Sequence, residues 1–146
     1  MIRIASKTAV AAVLVLACGC AGADEGPSAP GTFPSESYAT LLSDGGELSI
    51  TVWTAPEQPP PRGEIAVKLA VADAASGAPV AGLALDVVPW MPVMGHGTSV
   101  VPTVTSDGKG TYLIEHVNLF MPGRWELRTH FKDDVDDRAS PIFDVP

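Results

Sequence analysis

Cysteine is almost absent from this chain: Cys18 and Cys20 are the only two among 146 residues. Everything after them must therefore do without an internal disulfide, a thiolate zinc site or a thioredoxin-type redox pair. Basic residues are scarce as well, with nine Lys and Arg against seventeen Asp and Glu and a net charge of −8. That balance argues against a nucleic-acid partner and against binding to anionic lipid headgroups. Long apolar runs are missing beyond the first twenty residues. A bilayer span takes ~20 of them, so no later segment is expected to cross. Also missing are a Gly-x-Ser-x-Gly elbow, a phosphate-binding loop and paired zinc ligands, and the chain is expected not to be an enzyme.

What is present begins with a leader. Arg3 and Lys7 precede an apolar run from Thr8 to Ala17, followed by small residues. This is the order of a signal peptide, read over residues 1–20, and it implies export. Leu14-Val15-Leu16-Ala17-Cys18-Gly19-Cys20 looks like the lipobox of bacterial lipoproteins, in which a cysteine is acylated and becomes the new N-terminus. Cys18 and Cys20 both fit, and the second small residue before it favours Cys20. The expected localisation is extracytoplasmic, anchored by lipid to a bacterial membrane. No Asp follows either cysteine, which in a Gram-negative cell resembles outer-membrane sorting. Losing Arg3 and Lys7 with the leader takes the net charge from −8 to −10.

Residues 21–46 are rich in Ala, Gly, Pro, Ser and acids and read as a flexible linker. Residues 47–146 read as one domain of about 100 residues, the usual size of an immunoglobulin-like sandwich. Apolar residues alternate with polar ones in short runs between turn signals. Leu48, Ile50 and Val52 share one face, as do Ile65, Val67, Leu69 and Val71. Further strands are expected over 83–90, 98–105, 111–119, 124–132 and 140–145. No run keeps a helical period, so the fold is expected to be an all-β, immunoglobulin-like Greek-key sandwich of about seven strands. Such a small sandwich leaves little room for a deep pocket. Asp107-Gly108-Lys109-Gly110-Thr111-Tyr112 resembles a tyrosine corner, in which a Tyr near the start of the F strand returns its hydroxyl to the backbone upstream. Alternation then puts Tyr112, Ile114 and His116 together on the core face.

The least ordinary segment is Trp90-Met91-Pro92-Val93-Met94-Gly95-His96-Gly97. His116 and Met121 follow further on. Apart from Met1, every methionine in the chain belongs to these two regions. Thioether sulfur suits Cu(I), and imidazole binds either copper oxidation state. With Tyr112 on the F strand, the third strand ends at the opposite pole, and the chain must climb back through Met94 to His96. That would let His96, His116, Met121 and Met94 converge, with Met91 several residues lower at about 3.3 Å per residue. The same residues are open to a plainer reading, in which Met91, Met94 and Met121 plug the barrel end and His116 is a core histidine.

Met91-Pro92-x-Met94-Gly95-His96-Gly97, then Asp107-Gly108-x-Gly110-x-Tyr112, then Met121-Pro122-Gly123-x-Trp125 resembles the YtkA-like (FixH-like) domain across residues 47–132. The resemblance implies an extracytoplasmic, membrane-tethered β-sandwich. It also implies a link to copper handling or oxidase assembly, with Met94, His96 and Met121 as the carried-over positions. Two functions compete: a non-catalytic copper-binding protein, and a metal-free interaction module serving a membrane transporter or oxidase complex. Asp133, Asp134, Asp136 and Asp137 crowd one loop, but it lacks the spaced Gly and Glu of an EF-hand and reads as a solvated turn. His130 alternates outward with Arg128 and reads as surface. Trp53 lies on the outer face of its strand.

Overall fold

Period-two alternation decides the architecture, because each strand that buries one face needs a second layer to bury it against. The computed structural model describes residues 32–146. The expected leader, Cys18, Cys20 and the part of the expected linker up to residue 31 lie outside the described residues. The strands are β1 (Ala39–Leu42), β2 (Leu48–Ala55), β3 (Gly63–Asp73), β4 (Ala84–Met91), β5 (His96–Gly97), β6 (Thr103–Ser106), β7 (Thr111–Leu119), β8 (Gly123–Lys132), β9 (Asp137–Ala139) and β10 (Ile142–Val145). They form two antiparallel sheets packed as a sandwich, and the described residues contain no helix. One sheet runs β1-β2-β3-β7-β6. The other runs β10-β8-β4-β5, with β9 also paired to β8.

The inner faces are those read from alternation. In the first sheet Ile50 lies opposite Val71, Val52 opposite Leu69, and Val67 opposite Ile114. From the second sheet Val87, Trp125, Leu127, Phe131 and Phe143 meet them, and all are buried. Fully burying a side chain of this kind is worth about 1.5–3 kcal/mol, so this two-sided core is the main source of stability.

Four expectations need correction. Residues 39–42, placed in the linker by composition, form β1 and pair with β2 from Ala39 opposite Val52 to Leu42 opposite Ser49. The strand expected over 98–105 is displaced to 103–106, because His96 and Gly97 turn back to pair with Met91 and Trp90 instead. Tyr112 does return its hydroxyl upstream, donating to the Val80 carbonyl at 2.9 Å and accepting from the Leu83 N–H at 3.1 Å. Its strand is not the F strand, however. β7 pairs with β3 and β6, which is the E position, and β8, beside β4, takes the F position.

The fourth correction concerns His116. Val67 lies opposite Ile114, but Ile65 lies opposite Val117, so Glu115 and His116 together face the single residue Ala66. This is a β-bulge, and His116 carries it with φ at 60°. The bulge resets the alternation. Tyr112 and Ile114 point inward, and then Val117 and Leu119 do. His116 is left exposed on the outer face, with its Nδ1 3.1 Å from Oε1 of Glu64.

Candidate metal site

With β7 in the E position, β4 and β7 run the same way and end at one pole. β7 passes through Phe120, Met121 and Pro122 straight into β8, and β8 begins beside the end of β4, with Trp90 opposite Glu126. Two turns therefore adjoin. One is the hairpin from Met91 to His96, and the other is the Phe120–Pro122 connection.

The hairpin is built by its own sequence. Pro92 presets the first corner of a type I turn, and the Met94 N–H donates to the Met91 carbonyl at 3.2 Å. Gly95 takes φ of 68° and donates to the same carbonyl at 3.0 Å. This lets the chain reverse and pair His96 with Met91. Gly97 must lack a side chain, because a Cβ there would stand 2.5 Å from the Pro89 carbonyl oxygen.

The second turn is fixed from below. Trp125 is fully buried, and its indole N–H donates to the Met121 carbonyl at 2.9 Å. Phe120 sits edge-on to Trp125, with ring centroids 5.5 Å apart. On its other side Phe120 stacks with the His96 ring at 6.2 Å and 15°. Gly123 holds φ of 125°, and its bare Cα makes room for Met91: a Cβ would lie 2.8 Å from the Met91 Cε.

Three of the expected donor residues thus lie on the two turns where they touch. Met91 is buried against Gly123, Met121 packs against the core, and His96 is half-buried over Phe120. Met94 rides the hairpin tip and is 52 % exposed. Met91 is not the low residue of the sequence reading; it sits at this pole because β4 ends here. His116 does not join them. The bulge turns it to the outer face of the first sheet, toward Glu64.

The His96 Nδ1 lies 3.1 Å from the Gly97 carbonyl oxygen. A carbonyl only accepts, so Nδ1 carries the proton. In the neutral ring Nε2 then keeps the lone pair that a metal needs. Among the described residues no three His, Cys, Asp or Glu side chains form a group able to hold an ion. The expected donors at this pole, three thioethers and one imidazole, form a soft set.

The family model described as YtkA-like matches residues 46–130, more than half of the chain. The chain belongs to the YtkA-like family. No curated protein and no solved structure matches it. Both Met/His turns of this YtkA-like domain fall inside the matched span, as do Tyr112 and the His116 bulge.

Phe120, Gly123 and Trp125 shape the site but were not read as parts of it. Their signal was adjacency to Met121, within Phe120-Met121-Pro122-Gly123-x-Trp125. A separate concavity of about 500 Å³ lies on the outer face of the second sheet, lined in part by Val88, Trp90, Arg128, His130 and Arg138. Its residues are largely tied to one another. The Arg128 guanidinium lies over the Trp90 ring at 4.8 Å, and His130 Nε2 lies 2.6 Å from Asp136 Oδ1. Trp53, on the opposite sheet, is covered by the Lys68 ammonium at 4.3 Å.

Proposed function

We propose that this YtkA-like protein is an exported, lipid-anchored, non-catalytic copper-handling protein. In this reading Cu(I) is held by Met91, His96 and Met121, with Met94 beside them. The observation that carries it is the meeting of two turns that bring three thioethers and an imidazole to one pole. The donor chemistry supports copper in its reduced state, because thioethers are soft ligands. The protonated Nδ1 of His96 supports the ring as a ligand through Nε2. The setting is consistent: outside the cytoplasm, methionine keeps its ligand character where paired thiols oxidise to disulfides.

Residues 32–146 contain the whole two-sheet core, so the protein can be tested without its leader. It should retain one Cu(I) in competition with a chromogenic Cu(I) chelator. Met121→Leu and His96→Ala should each weaken retention by about tenfold or more, which is about 1.4 kcal/mol. His116→Ala should leave it unchanged. Loss of all copper from the wild type to a weak chelator would end the copper reading. The anchor is tested separately by the mass of the mature protein from cells, which should show a diacylglyceryl group on residue 18 or 20. An unmodified N-terminus would remove the anchor.

A second reading, a metal-free docking module for a membrane complex, draws on the exposed apolar tip. Val93 is 85 % exposed there, beside Met94 and Phe120. It predicts no gain in thermal stability on adding Cu(I), whereas a ligand that binds only the folded state must raise it.

A further inference from the structure

The four donors of the pole differ sharply in exposure, and we infer from this that Met94 is the exchange ligand of the site: the thioether through which Cu(I) enters and leaves. This rests on the copper reading above and assigns separate tasks within it. Met91 is buried, with its methyl group against the Gly123 backbone. Met121 is half-buried, and its carbonyl is tied to the Trp125 indole. His96 is half-buried, with its ring against Phe120 and its Nδ1 on the Gly97 carbonyl. Each of these three is held by contacts that a metal does not need to make.

Met94 is the opposite case. Its backbone is fixed, because its N–H closes the hairpin turn onto the Met91 carbonyl and Gly95 completes the reversal. Its side chain projects from the tip and is more than half exposed. An unbranched thioether with three rotatable bonds can swing through a wide arc without disturbing the fold. Its neighbour Val93 is more exposed still and carries no donor atom. An incoming ligand from a partner or chelator therefore meets the Met94 sulfur before it meets the other three.

Exchange at Cu(I) by this route moves no electron. A Cu–S bond to Met94 would form as the bond to one retaining donor breaks, acceptor donors would then replace the remaining protein donors one bond at a time with Met94 last, and the copper would stay in the +1 state throughout. The retaining donors set how tightly the ion is held, and Met94 sets how fast it is passed on. Variants of one binding site usually change affinity through the rate of release. A variant that changes the transfer rate while leaving affinity in place is therefore diagnostic.

The experiment uses the leader-free protein loaded with one equivalent of Cu(I), mixed in a stopped-flow instrument with bathocuproine disulfonate. Met94→Leu keeps the size and apolar character of the side chain and removes only the sulfur. It should slow transfer by about tenfold while the equilibrium affinity stays within about threefold. Met121→Leu should do the reverse, weakening affinity by about tenfold and speeding release. Circular dichroism and the thermal midpoint of the metal-free variants confirm that both fold. The proposal is overturned if Met94→Leu weakens affinity as much as Met121→Leu, since Met94 is then a retaining ligand. It is overturned equally if Met94→Leu transfers copper at the wild-type rate. A wild type that binds no Cu(I) at all overturns the copper reading itself, a result plainly separate from the other two.

Discussion

His116 holds its backbone at φ of 60°, in the left-handed region that non-glycine residues rarely adopt. Such positions cost of order 1–3 kcal/mol and persist when the surroundings over-determine them. Here β7 is gripped on both sides, by β3 and by β6, and the bulge is what lets Val117 and Leu119 reach the core after Tyr112 and Ile114. The exposed pair with Glu64 adds little, since such pairs are worth about 0–1 kcal/mol. Strain at the backbone should therefore dominate any substitution. His116→Gly should keep stability within about 1 kcal/mol of wild type, and His116→Val should cost at least about 1 kcal/mol more than the Gly variant. Urea denaturation midpoints measure both. Equal midpoints for the Gly and Val variants would show that the left-handed backbone is not held in solution. The histidine looked like a ligand because simple alternation put it on the core face, and one inserted residue reverses that face. Nothing in Leu113-Ile114-Glu115-His116-Val117 announces the insertion, since a bulge is set by the partner strand as much as by its own.

At the scale of elements, the strands were legible because apolar and polar residues alternate cleanly in β2, β3 and β8. The hairpin from Met91 to His96 was legible only as a loop. Its two-residue strand β5 carries no periodicity, and its pairing depends on Gly97 passing close to the Pro89 carbonyl. β1 was missed for a related reason. Ala39-Thr40-Leu41-Leu42 is a short edge strand whose burial alternates only between half-buried and exposed, and it follows a Pro- and Ser-rich stretch. Assigning Tyr112 to the F strand carried the largest consequence. The corner motif was read correctly as a hydrogen bond, yet it sits on the E strand here. With that one change, the ends of β4 and β7 move from opposite poles to the same pole. Met91 passes from a place several residues below the others to a buried one at the same pole, and His96 meets Phe120 directly.

Across the whole molecule, Asp137 ties the two sheets together at an edge. It lies on β9 of the second sheet, and its Oδ1 accepts from the Gly45 N–H of the β1–β2 turn at 2.9 Å, beside a backbone bond from the Asp44 N–H to the Arg138 carbonyl. Gly45 must be bare there, since a Cβ would stand 2.9 Å from Oδ2. Burial on its own would push the Asp137 carboxyl up. The Ser43 hydroxyl and the backbone N–H groups of Gly45, Arg138 and Glu47 outweigh burial and hold it below the usual carboxylate range. Oδ2 is sealed from solvent and has no hydrogen-bond partner among the described residues. These surrounding donors favour a structural carboxylate over a cation ligand. A carboxyl lowered on folding stabilises fully above its unfolded pKa of about 3.9, and that contribution is lost as pH falls through the lower folded value. The wild type should therefore lose thermal stability on acidification below about pH 4, with Asp73, Asp107 and Asp136 contributing in the same direction. Asp137→Asn should be less stable at neutral pH and lose less on acidification. Thermal midpoints of both proteins between about pH 7 and about pH 3 measure this, and parallel curves would show that Asp137 is not the titrating tie.

The amino-acid sequence alone determined the class of the fold, most of its strands, their inward faces and the Tyr112 hydrogen bond. Those follow from period-two burial and from local turn chemistry, which act within a few residues. It also singled out Met91, Met94, His96 and Met121 by residue type. Only the tertiary structure decided which of them meet. That depended on the E position of β7, on the bulge at His116, and on two glycines bare enough for a carbonyl and a methyl group to approach. Each is a relation between strands distant along the chain, and one displaced residue or one exchanged strand inverts it.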